Sequence, residues 1–339
     1  MSEAPGRGAT GPPPGYPVEW EADVVLRDGS VAHLRPITPA DADTLRRFHA
    51  AQSDESIYMR FFAPLRELSD RDAYRFTHVD HDLRVALVAT IRDDIIGVGR
   101  YDKVDESTAE VAFNISDVYQ GRGVGSVLLE HLAAIAQDGG VEHFIAEVLP
   151  QNRKMLAVFR EAGYEVSQRF EDGVIMVSFD VAATERSTYV RLSREHRAES
   201  VSVRSVLHPT SVAVIGASRR EDSIGHRLLS NTLAAGFQGP VYVVNREADE
   251  VCGLRAYARI GDVPGPVGLA VIAVPAEGVV DVARQCGLAG VSSLLVVASG
   301  FAEAGPEGTA LQEALRWEAR HGGMRVLGPN SFGVVNQHP

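Results

Sequence analysis

The chain has 339 residues, of which 45% are hydrophobic and 23% charged, and its formal net charge at pH 7 is -12. This length suffices for two globular domains with separate cores. The negative charge argues against a nucleic-acid or anionic-membrane partner. The two cysteines, Cys252 and Cys286, are not spaced as a metal-binding or redox pair, and no apolar run reaches membrane-spanning length. We therefore expect a cytoplasmic protein without a bound metal.

The N-terminal part begins with a Gly/Pro-rich stretch, residues 1–17, which we expect to be a disordered tail. Asp28-Gly29 between two apolar runs predicts a β-hairpin over residues 22–37. A helix is then predicted from Thr38 as N-cap, with Pro39 at its first position and Asp41 three residues after the cap.

A second helix is predicted after Ser69, followed by three strands, the last of which is AEVAFNI at residues 109–115. Apolar residues at helical spacing after QGRGVG predict a longer helix that ends at Gly139-Gly140. A strand, a helix from Asn152 to Ala162 and two strands follow. The predicted order is two strands, two helices, three strands, helix, strand, helix and two strands.

The C-terminal part differs in its pattern. Residues 181–206 are polar and rich in Arg and Glu, and we interpret them as a linker that is partly helical. In residues 207–339 short apolar strands alternate with helices, which predicts a parallel, doubly wound sheet. The sequence thus predicts an α/β protein with one domain over residues 18–180 and another over residues 207–339.

The loop QGRGVG carries glycines at positions 121, 123 and 125 between a predicted strand and a predicted helix. A dinucleotide site requires G-x-G-x-x-G, so this spacing does not fit one. Gln120, Gly123 and Gly125 instead resemble the pyrophosphate loop of the GNAT superfamily of N-acetyltransferases, whose mixed sheet with flanking helices has the element order predicted here. Glycines let backbone N–H groups approach a pyrophosphate, and the helix N-terminus attracts its charge.

The resemblance implies acetyl-CoA as co-substrate. The residues that it places at acetyl-CoA are Ala112, Phe113, Asn114, Gln120, Gly121, Arg122, Gly123, Val124, Gly125 and Asn152.

The strand AEVAFNI has two different faces. Val111, Phe113 and Ile115 share one of them, and Glu110, Ala112 and Asn114 share the other. In GNAT enzymes this strand diverges from the next, here HFIAEVL, and the thioester lies in the gap. The resemblance to bacterial protein lysine acetyltransferases implies that Glu110 is the general base, directly or through water, and that the N–H groups of residues 112–114 polarise the thioester carbonyl. Glu147 is the competing base, and a solvated or ion-paired carboxylate is the alternative for Glu110.

The last GNAT motif is matched by Asn152, Phe159, Gly163 and Tyr164. Many members have tyrosine at the position of Phe159, where its hydroxyl protonates the departing thiolate, so that role is excluded here. We interpret Tyr164 as a packed aromatic residue. Arg60 matches an Arg-Phe-Phe segment near the acceptor site of two-module relatives, although a surface charge on a helix is an equal alternative.

The second glycine loop, VAVIGASRREDSIG, also follows a predicted strand. Gly216-Ala217-Ser218 is not G-x-G-x-x-G, and the next strand ends in Asn245 rather than an acid, which disfavours NAD. Together with VVNREADEVCGLRAY, VIAVPAE, VVASGFAEAG and GMRVLGPNSFGVVN, it resembles the Rossmann-like CoA-binding domain of the succinyl-CoA synthetase and NDP-forming acyl-CoA synthetase family. This resemblance implies a second CoA or acyl-CoA.

The residues implied there are Gly216, Ala217 and Ser218 at a phosphate, Val274, Pro275 and Ala276 at the nucleotide, and Asn330 at the far end of the cleft. Ser218 as a helix cap and Pro275 as the end of a strand are the alternatives. The chain stops at Pro339, and His338 has no fold around it, so we do not expect acyl-CoA ligation.

The combination resembles bacterial protein acetyltransferases that modify lysines, notably those of AMP-forming acyl-CoA synthetases. We therefore expect direct acetyl transfer from acetyl-CoA to such proteins as partners. The alternatives are a small-amine acetyltransferase acting on a polyamine or antibiotic, a non-catalytic acyl-CoA sensor or remnant of a synthetase, and an acyl-CoA ligase. The acyl-chain preference and the oligomeric state are left open.

Overall fold

The computed structural model describes residues 14–92, 94–331 and 333. The described residues divide into two compact units: residues 14–22, 34–90 and 94–191 form one, and residues 23–33, 91–92 and the chain from Leu192, inside a long helix, form the other. Most of the predicted disordered tail lies outside the described residues, as do His338, Pro339 and most of the final GVVN segment.

The N-terminal half forms an eight-stranded sheet. Its strands are β1 Ala22–Val25, β2 Val31–Pro36, β3 Arg84–Ile91, β4 Asp94–Lys103, β5 Thr108–Ile115, β6 His143–Val148, β7 Ser167–Glu171 and β8 Val174–Asp180. The order across the sheet is β1-β2-β3-β4-β5-β6-β8-β7. β5 and β6 run parallel, whereas β4–β5, β6–β8 and β7–β8 are antiparallel, so the predicted mixed sheet is confirmed.

Five helices flank this sheet in the described residues. They are α1 Ala42–Ala50, α2 Asp54–Phe61, α3 Asp70–Thr77, α4 Val124–Asp138 and α5 Arg153–Glu161. Thr38 and Asp41 form the expected capping box around a short 3-10 turn before α1, and Ser69 caps α3. The sequence predicted two helices before β3, and α2 is the one missed, because its eight residues include a single buried one, Ile57.

Close packing of α4 against the sheet fixes where the glycine loop lies. A Cβ on Gly97 of β4 would be 2.7 Å from Cγ1 of Val124, the first residue of α4, and one on Gly99 would be 3.0 Å from Leu132. Leu128, Leu129 and Leu132 are fully buried. The glycines of β4 therefore allow α4 to approach the sheet, and its N-terminus lies just beyond β5.

The C-terminal half begins in a 23-residue helix, α6 Glu185–Leu207, which covers most of the predicted linker. Its strands are β9 Val212–Ile215, β10 Val241–Val244, β11 Glu250–Val251, β12 Leu254–Tyr257, β13 Leu269–Ile272, β14 Ser293–Val296 and β15 Arg325–Leu327, and its helices are α7 Ile224–Ala234, α8 Ala276–Leu288 and α9 Pro306–Gly322. The sheet order is β11-β12-β10-β9-β13-β14-β15.

All neighbouring strands of this sheet run parallel except β11 and β12. Every residue of β9 and β13 is buried, as expected for strands covered on both faces. The strand order reverses between β9 and β13, which is the switch point where doubly wound folds bind ligands. The predicted doubly wound fold is confirmed; the short β11–β12 hairpin was not predicted.

Candidate functional site

Strands β5 and β6 pair over only three residues. The pairs are Thr108 with His143, Ala109 with Phe144 and Glu110 with Ile145. Beyond them β5 stays paired to β4 as far as Ile115, and β6 stays paired to β8 as far as Val148. The two strands therefore separate after Glu110, and a cavity of about 250 Å³ opens in the gap.

The wall of this gap cavity comes from β5, β6, the end of α2 and the start of α5. Its charged residues are Arg60, Glu110 and Glu147. The structure thus brings both candidate bases together with the Arg-Phe-Phe segment, since Phe61 and Phe62 line the same cavity. Three separate sequence motifs meet at one site.

The backbone of β5 faces the gap through alternate residues. The N–H of Ser116 donates to the carbonyl oxygen of Ile96 on β4 at 2.9 Å, and residues two apart on a strand direct their backbone groups to the same side. Ala112 and Asn114 therefore direct their N–H groups to β4, and Phe113 directs its own into the gap. Three backbone N–H groups, those of residues 112–114, were expected at the thioester carbonyl. The register with β4 shows that, of these three, the N–H of Phe113 is the one that faces the gap.

The side chains of Glu110 and Arg60 interact electrostatically. Burial lowers the pKa of the Arg60 guanidinium, and the carboxylates of Glu110 and Asp102 oppose this shift. The guanidinium carbon lies 5.1 Å from the centroid of the Phe61 ring. Arg60 is therefore a partly desolvated cation beside the exposed carboxylate of Glu110, rather than a freely solvated surface charge.

The glycine loop forms an open anion cradle at the start of α4. Gly121 and Gly123 have φ values of 79° and 90°, a conformation that favours glycine. No side chain caps the helix at Gly123, and the first backbone bond back to the loop comes from Val127. The N–H groups of Val124 and Gly125 at the helix N-terminus therefore remain directed outward, as a pyrophosphate requires.

A polar network holds this loop. Gln120 donates from Nε2 to the Ile115 carbonyl at 3.3 Å and to Ser56 Oγ at 3.2 Å, and Lys154 Nζ donates to Gln120 Oε1 at 2.6 Å. Burial acts to raise the pKa of Asp117, but the hydrogen bond from Ser56 and the charge of Lys154 bring it below its usual range. The loop is thereby connected to both α2 and α5.

The last motif of the GNAT pattern has packing and capping roles. Asn152 accepts a 3.1 Å hydrogen bond from the Met155 N–H at the start of α5 and also lines the gap cavity. Phe159 is 1% exposed, and its ring packs against those of Phe113 and Phe179. Tyr164 lies 5.1 Å from the Phe179 ring, so its contacts are those of a packed aromatic residue.

The second glycine loop packs so closely that side chains are excluded. Gly216 has a φ of 91°, and a Cβ there would lie 2.7 Å from the Ala273 carbonyl oxygen. A Cβ on Gly225 of α7 would lie 2.5 Å from the Gly216 carbonyl oxygen. Ala217, between these contacts, is fully buried. The loop and the start of α7 are therefore in direct backbone contact.

Side-chain hydrogen bonds hold the second glycine loop in place. Ser223, not Ser218, caps α7 by accepting the His226 N–H at 3.2 Å, and the hydroxyls of Ser218 and Ser223 are 3.0 Å apart. Asn245 donates from Nδ2 to the Ala217 carbonyl at 2.7 Å. The alternative role of Ser218 as the cap is therefore wrong, and Asn245 serves to hold the loop.

The carboxyl ends of β9 and β13 are adjacent, because Ile215 pairs with Ile272. Residues 216–218 and 274–276 therefore share one edge of the sheet. Pro275 is the N-cap of α8, and Ala276 is the first residue of that helix. Asn330 follows β15, two strands away from β13, and its N–H donates to the Ala298 carbonyl at 2.9 Å.

Comparison with known proteins assigns each half of the chain to a domain family. The model of the GNAT acetyltransferase domain matches residues 32–165, and that of a CoA-binding domain matches residues 210–337. The chain carries a GNAT acetyltransferase domain joined to a CoA-binding domain.

The chain is 32% identical over 163 residues to the acetyltransferase Pat of Mycolicibacterium smegmatis, with 47% of this chain and 48% of Pat covered. It is 40% identical over 139 residues to the alpha subunit of ADP-forming acetate–CoA ligase I of Pyrococcus furiosus, with 40% and 30% covered. The chain spans less than half the length of both. The GNAT domain of S. lividans PAT is 52% identical over 49% of this chain and 99% of that domain, with a TM-score of 0.47.

Several residues at the two loops were not predicted from the sequence. Lys154, Ser56 and Asp117 at the first loop have no motif of their own, whereas Gly225 stands in the quoted glycine stretch.

Within the described residues no group of three or more His, Cys, Asp or Glu side chains is arranged to hold a metal ion. No described helix has the length and apolarity needed to cross a membrane.

Proposed function

We propose that this GNAT acetyltransferase transfers the acetyl group of acetyl-CoA directly to lysine side chains of proteins. The observation that carries the proposal is the position of Glu110 at the point where β5 leaves β6, in a cavity that it shares with Arg60 and Phe61. A carboxylate, a partly desolvated cation and an apolar wall there suit an aliphatic amine that approaches a thioester.

The donor fits the gap through backbone groups. Its pyrophosphate would lie on the N–H groups at the start of α4, and its thioester carbonyl would accept from the N–H of Phe113. Attack by the neutral amine forms the C–N bond and a tetrahedral oxyanion, the adduct nitrogen then loses its second proton to solvent, and collapse breaks the C–S bond. The electron pair leaves with sulfur as thiolate.

Proton removal is assigned to Glu110. A lysine amine has an ordinary pKa of about 10.4, so at neutral pH it must lose a proton before attack. Glu110, directly or through one water, accepts that proton. Glu147 lines the same cavity but belongs to β6, and Arg60 interacts electrostatically with Glu110. We therefore place Glu110 first and keep Glu147 as the competing base.

The test compares Glu110→Gln with Glu147→Gln, using Glu171→Gln on the exposed strand β7 as the control. Thiol release with a lysine-bearing protein acceptor is followed from pH 7 to pH 10. Loss at pH 7 in Glu110→Gln, with recovery as the acceptor amine deprotonates, supports the assignment. An unchanged rate at pH 7 removes Glu110 as the base.

The protein acceptor is supported by the similarity to the acetyltransferase Pat and by the net charge of -12, which suits a cationic partner. AMP-forming acyl-CoA synthetases are the proposed acceptors, through the family resemblance. Mass spectrometry after incubation of the chain with acetyl-CoA, purified synthetases and polyamines separates the two acceptor classes. Acetylated polyamine with unmodified protein would favour the small-amine alternative.

We further propose that the C-terminal domain binds a second CoA or acyl-CoA where residues 216–218 and 274–276 share the sheet edge. Calorimetry of the whole chain should then give two CoA sites, and one when the first loop carries Gly123→Ala. Binding of acetyl-CoA without turnover on any acceptor would favour the sensor alternative. Phosphate transfer from ATP to a histidine of the chain would favour a ligase.

A further inference from the structure

A second cavity, of about 40 Å³, lies on the other side of Arg60 and Phe61 from the gap. Arg60, Phe61 and Ala112 of β5 line both cavities. Side chains of α1, α3, β4 and the segments before α1 and α3 also line it, and most are apolar: Ile37, Leu45, Phe48, Leu68, Phe76 and Val98. The polar residues His49 and Asn114 line it as well. We call this space the Arg100 cavity, because a buried arginine also lines it.

Arg100, on β4, is 7% exposed. Its Nε and Nη2 atoms are buried and have no hydrogen-bond partner in the described part of the chain. Asp102 forms an ion pair with Arg100, with its Oδ2 3.8 Å from Arg100 Nε, but Asp102 also accepts a 2.8 Å bond from Arg84. Buried polar groups normally have hydrogen-bond partners, so a guanidinium whose Nε and Nη2 have none among the described residues, and which lies 4.8 Å from the centroid of the Phe76 ring, is unusual.

Three other guanidinium groups act on this one. Burial lowers the pKa of Arg100 to about 10, the carboxylate of Asp102 opposes this shift as the second-largest influence, and the charges of Arg60, Arg84 and Arg75 add to it. A group of arginines that mutually raise the free energy of their charged forms is stabilised by an anion. The local field therefore favours a negatively charged ligand.

We propose that the Arg100 cavity binds a carboxylate carried on a short aliphatic chain that enters from the gap cavity. A guanidinium matches a carboxylate in planar geometry, the apolar walls suit methylene groups, and the volume limits the ligand to a small terminal group. The carboxylate belongs either to the acyl group of a dicarboxylic acyl-CoA or to the acceptor. The inference rests on acyl transfer at the gap and not on a protein lysine as acceptor.

Calorimetry of the full chain tests the donor source with succinyl-CoA and its neutral counterpart, butyryl-CoA. We expect succinyl-CoA to bind about tenfold more tightly, the effect of one charged hydrogen bond. Arg100→Met should abolish this preference, and Arg100→Lys should retain part of it. Arg169→Met, in an exposed pair on β7, is the charge-matched control and should keep the full preference.

The acceptor source is tested with propionate and propionamide on the chain saturated with CoA. Tighter binding of propionate that disappears in Arg100→Met supports the cavity with the carboxylate on the acceptor. The proposal is overturned if the unaltered chain binds succinyl-CoA and butyryl-CoA equally and also binds propionate and propionamide equally. This comparison does not depend on whether the variants fold. Because only binding is measured, failure here is distinct from failure of the acetyl transfer to lysine.

Discussion

Lys154 donates a 2.6 Å hydrogen bond to the side-chain oxygen of Gln120, the residue that opens the first glycine loop. The amide nitrogen of the same Gln120 is directed at the Ile115 carbonyl, at the end of β5. One side chain thus joins α5, the loop and the strand that carries Glu110. Lys154 also adds a positive charge beside the loop, where it would favour a bound pyrophosphate.

Replacement of Lys154 should weaken CoA binding. In Lys154→Met the charge and the hydrogen bond to Gln120 are lost, and we expect the Kd for CoA to rise about tenfold. Calorimetry at low and high salt checks this, since the difference should shrink as salt screens the charge. Arg169→Met is the control, and equal affinities of the two variants would contradict the role of Lys154.

Two glycines of the same loop should respond differently to alanine. Gly123 has a φ of 90°, so alanine there costs about 1–2 kcal/mol of backbone strain and displaces the cradle. Gly125 lies within α4, and a Cβ would make ordinary contact with Val158 at 3.6 Å. We expect Gly123→Ala to lose CoA affinity and Gly125→Ala to keep it. Similar losses in both would mean that the bare backbone of Gly125 itself is needed.

The second glycine loop yields a stability prediction. Alanine at Gly225 would place Cβ 2.5 Å from the Gly216 carbonyl oxygen, and such overpacking typically costs about 1–3 kcal/mol. Gly261→Ala is the control, because no heavy atom lies within 4 Å of its added Cβ. Scanning calorimetry of the full chain should show a lower transition temperature for Gly225→Ala alone. An unchanged transition temperature would show that α7 can move away from the loop to make room for the added methyl group without loss of stability.

Acid should reduce stability partly through Asp41. Burial acts to raise the pKa of this carboxyl, but the paired hydrogen bonds of 2.5 and 2.8 Å and the charge of Arg35 bring it below its usual range. A pKa that is lower in the folded chain gives stability that is present above the unfolded value of about 3.9 and is lost as pH falls through the folded value. The pair therefore contributes most at neutral pH.

Asp41→Asn should lower the free energy of unfolding at pH 7 by on the order of 2 kcal/mol, because Arg35 loses its charged partner. Urea unfolding at pH 7, 5, 4 and 3 measures the difference between the two chains. We expect that difference to be constant down to about pH 5 and to narrow below about pH 4. If the difference in free energy of unfolding is the same at all four pH values, the ion pair is not its source.

The fold follows from the sequence where local signals are strong. Three such signals are the Thr38–Asp41 capping box, the Asp28-Gly29 turn and the end of the helix at Gly139-Gly140. Each depends on interactions between residues that are close in sequence, so each could be predicted from the sequence. α2 was missed because it is short and buries only Ile57, and the β11–β12 hairpin because its first strand has two residues. Their conformations depend on what packs against them.

The site was predictable where a motif supplies its residues. The glycine loop and Glu110 follow from the resemblance, but the alternation that leaves the Phe113 N–H in the gap requires the register with β4. Lys154 and Asp117 were not predicted because their roles arise from contacts between α2, α5 and the loop. Arg100 looks like any strand arginine until its burial and missing partners are known.

The phenyl ring of Phe159 has a kinetic consequence. In the proposed transfer no hydroxyl stands at that position, so sulfur would depart as the free thiolate and take its proton from bulk water afterwards. Breakdown of the tetrahedral adduct should then depend on the acidity of the departing thiol, with a marked leaving-group slope and little solvent deuterium isotope effect on that step. The enzyme would thus be tuned to good thiol leaving groups by the absence of a single oxygen atom.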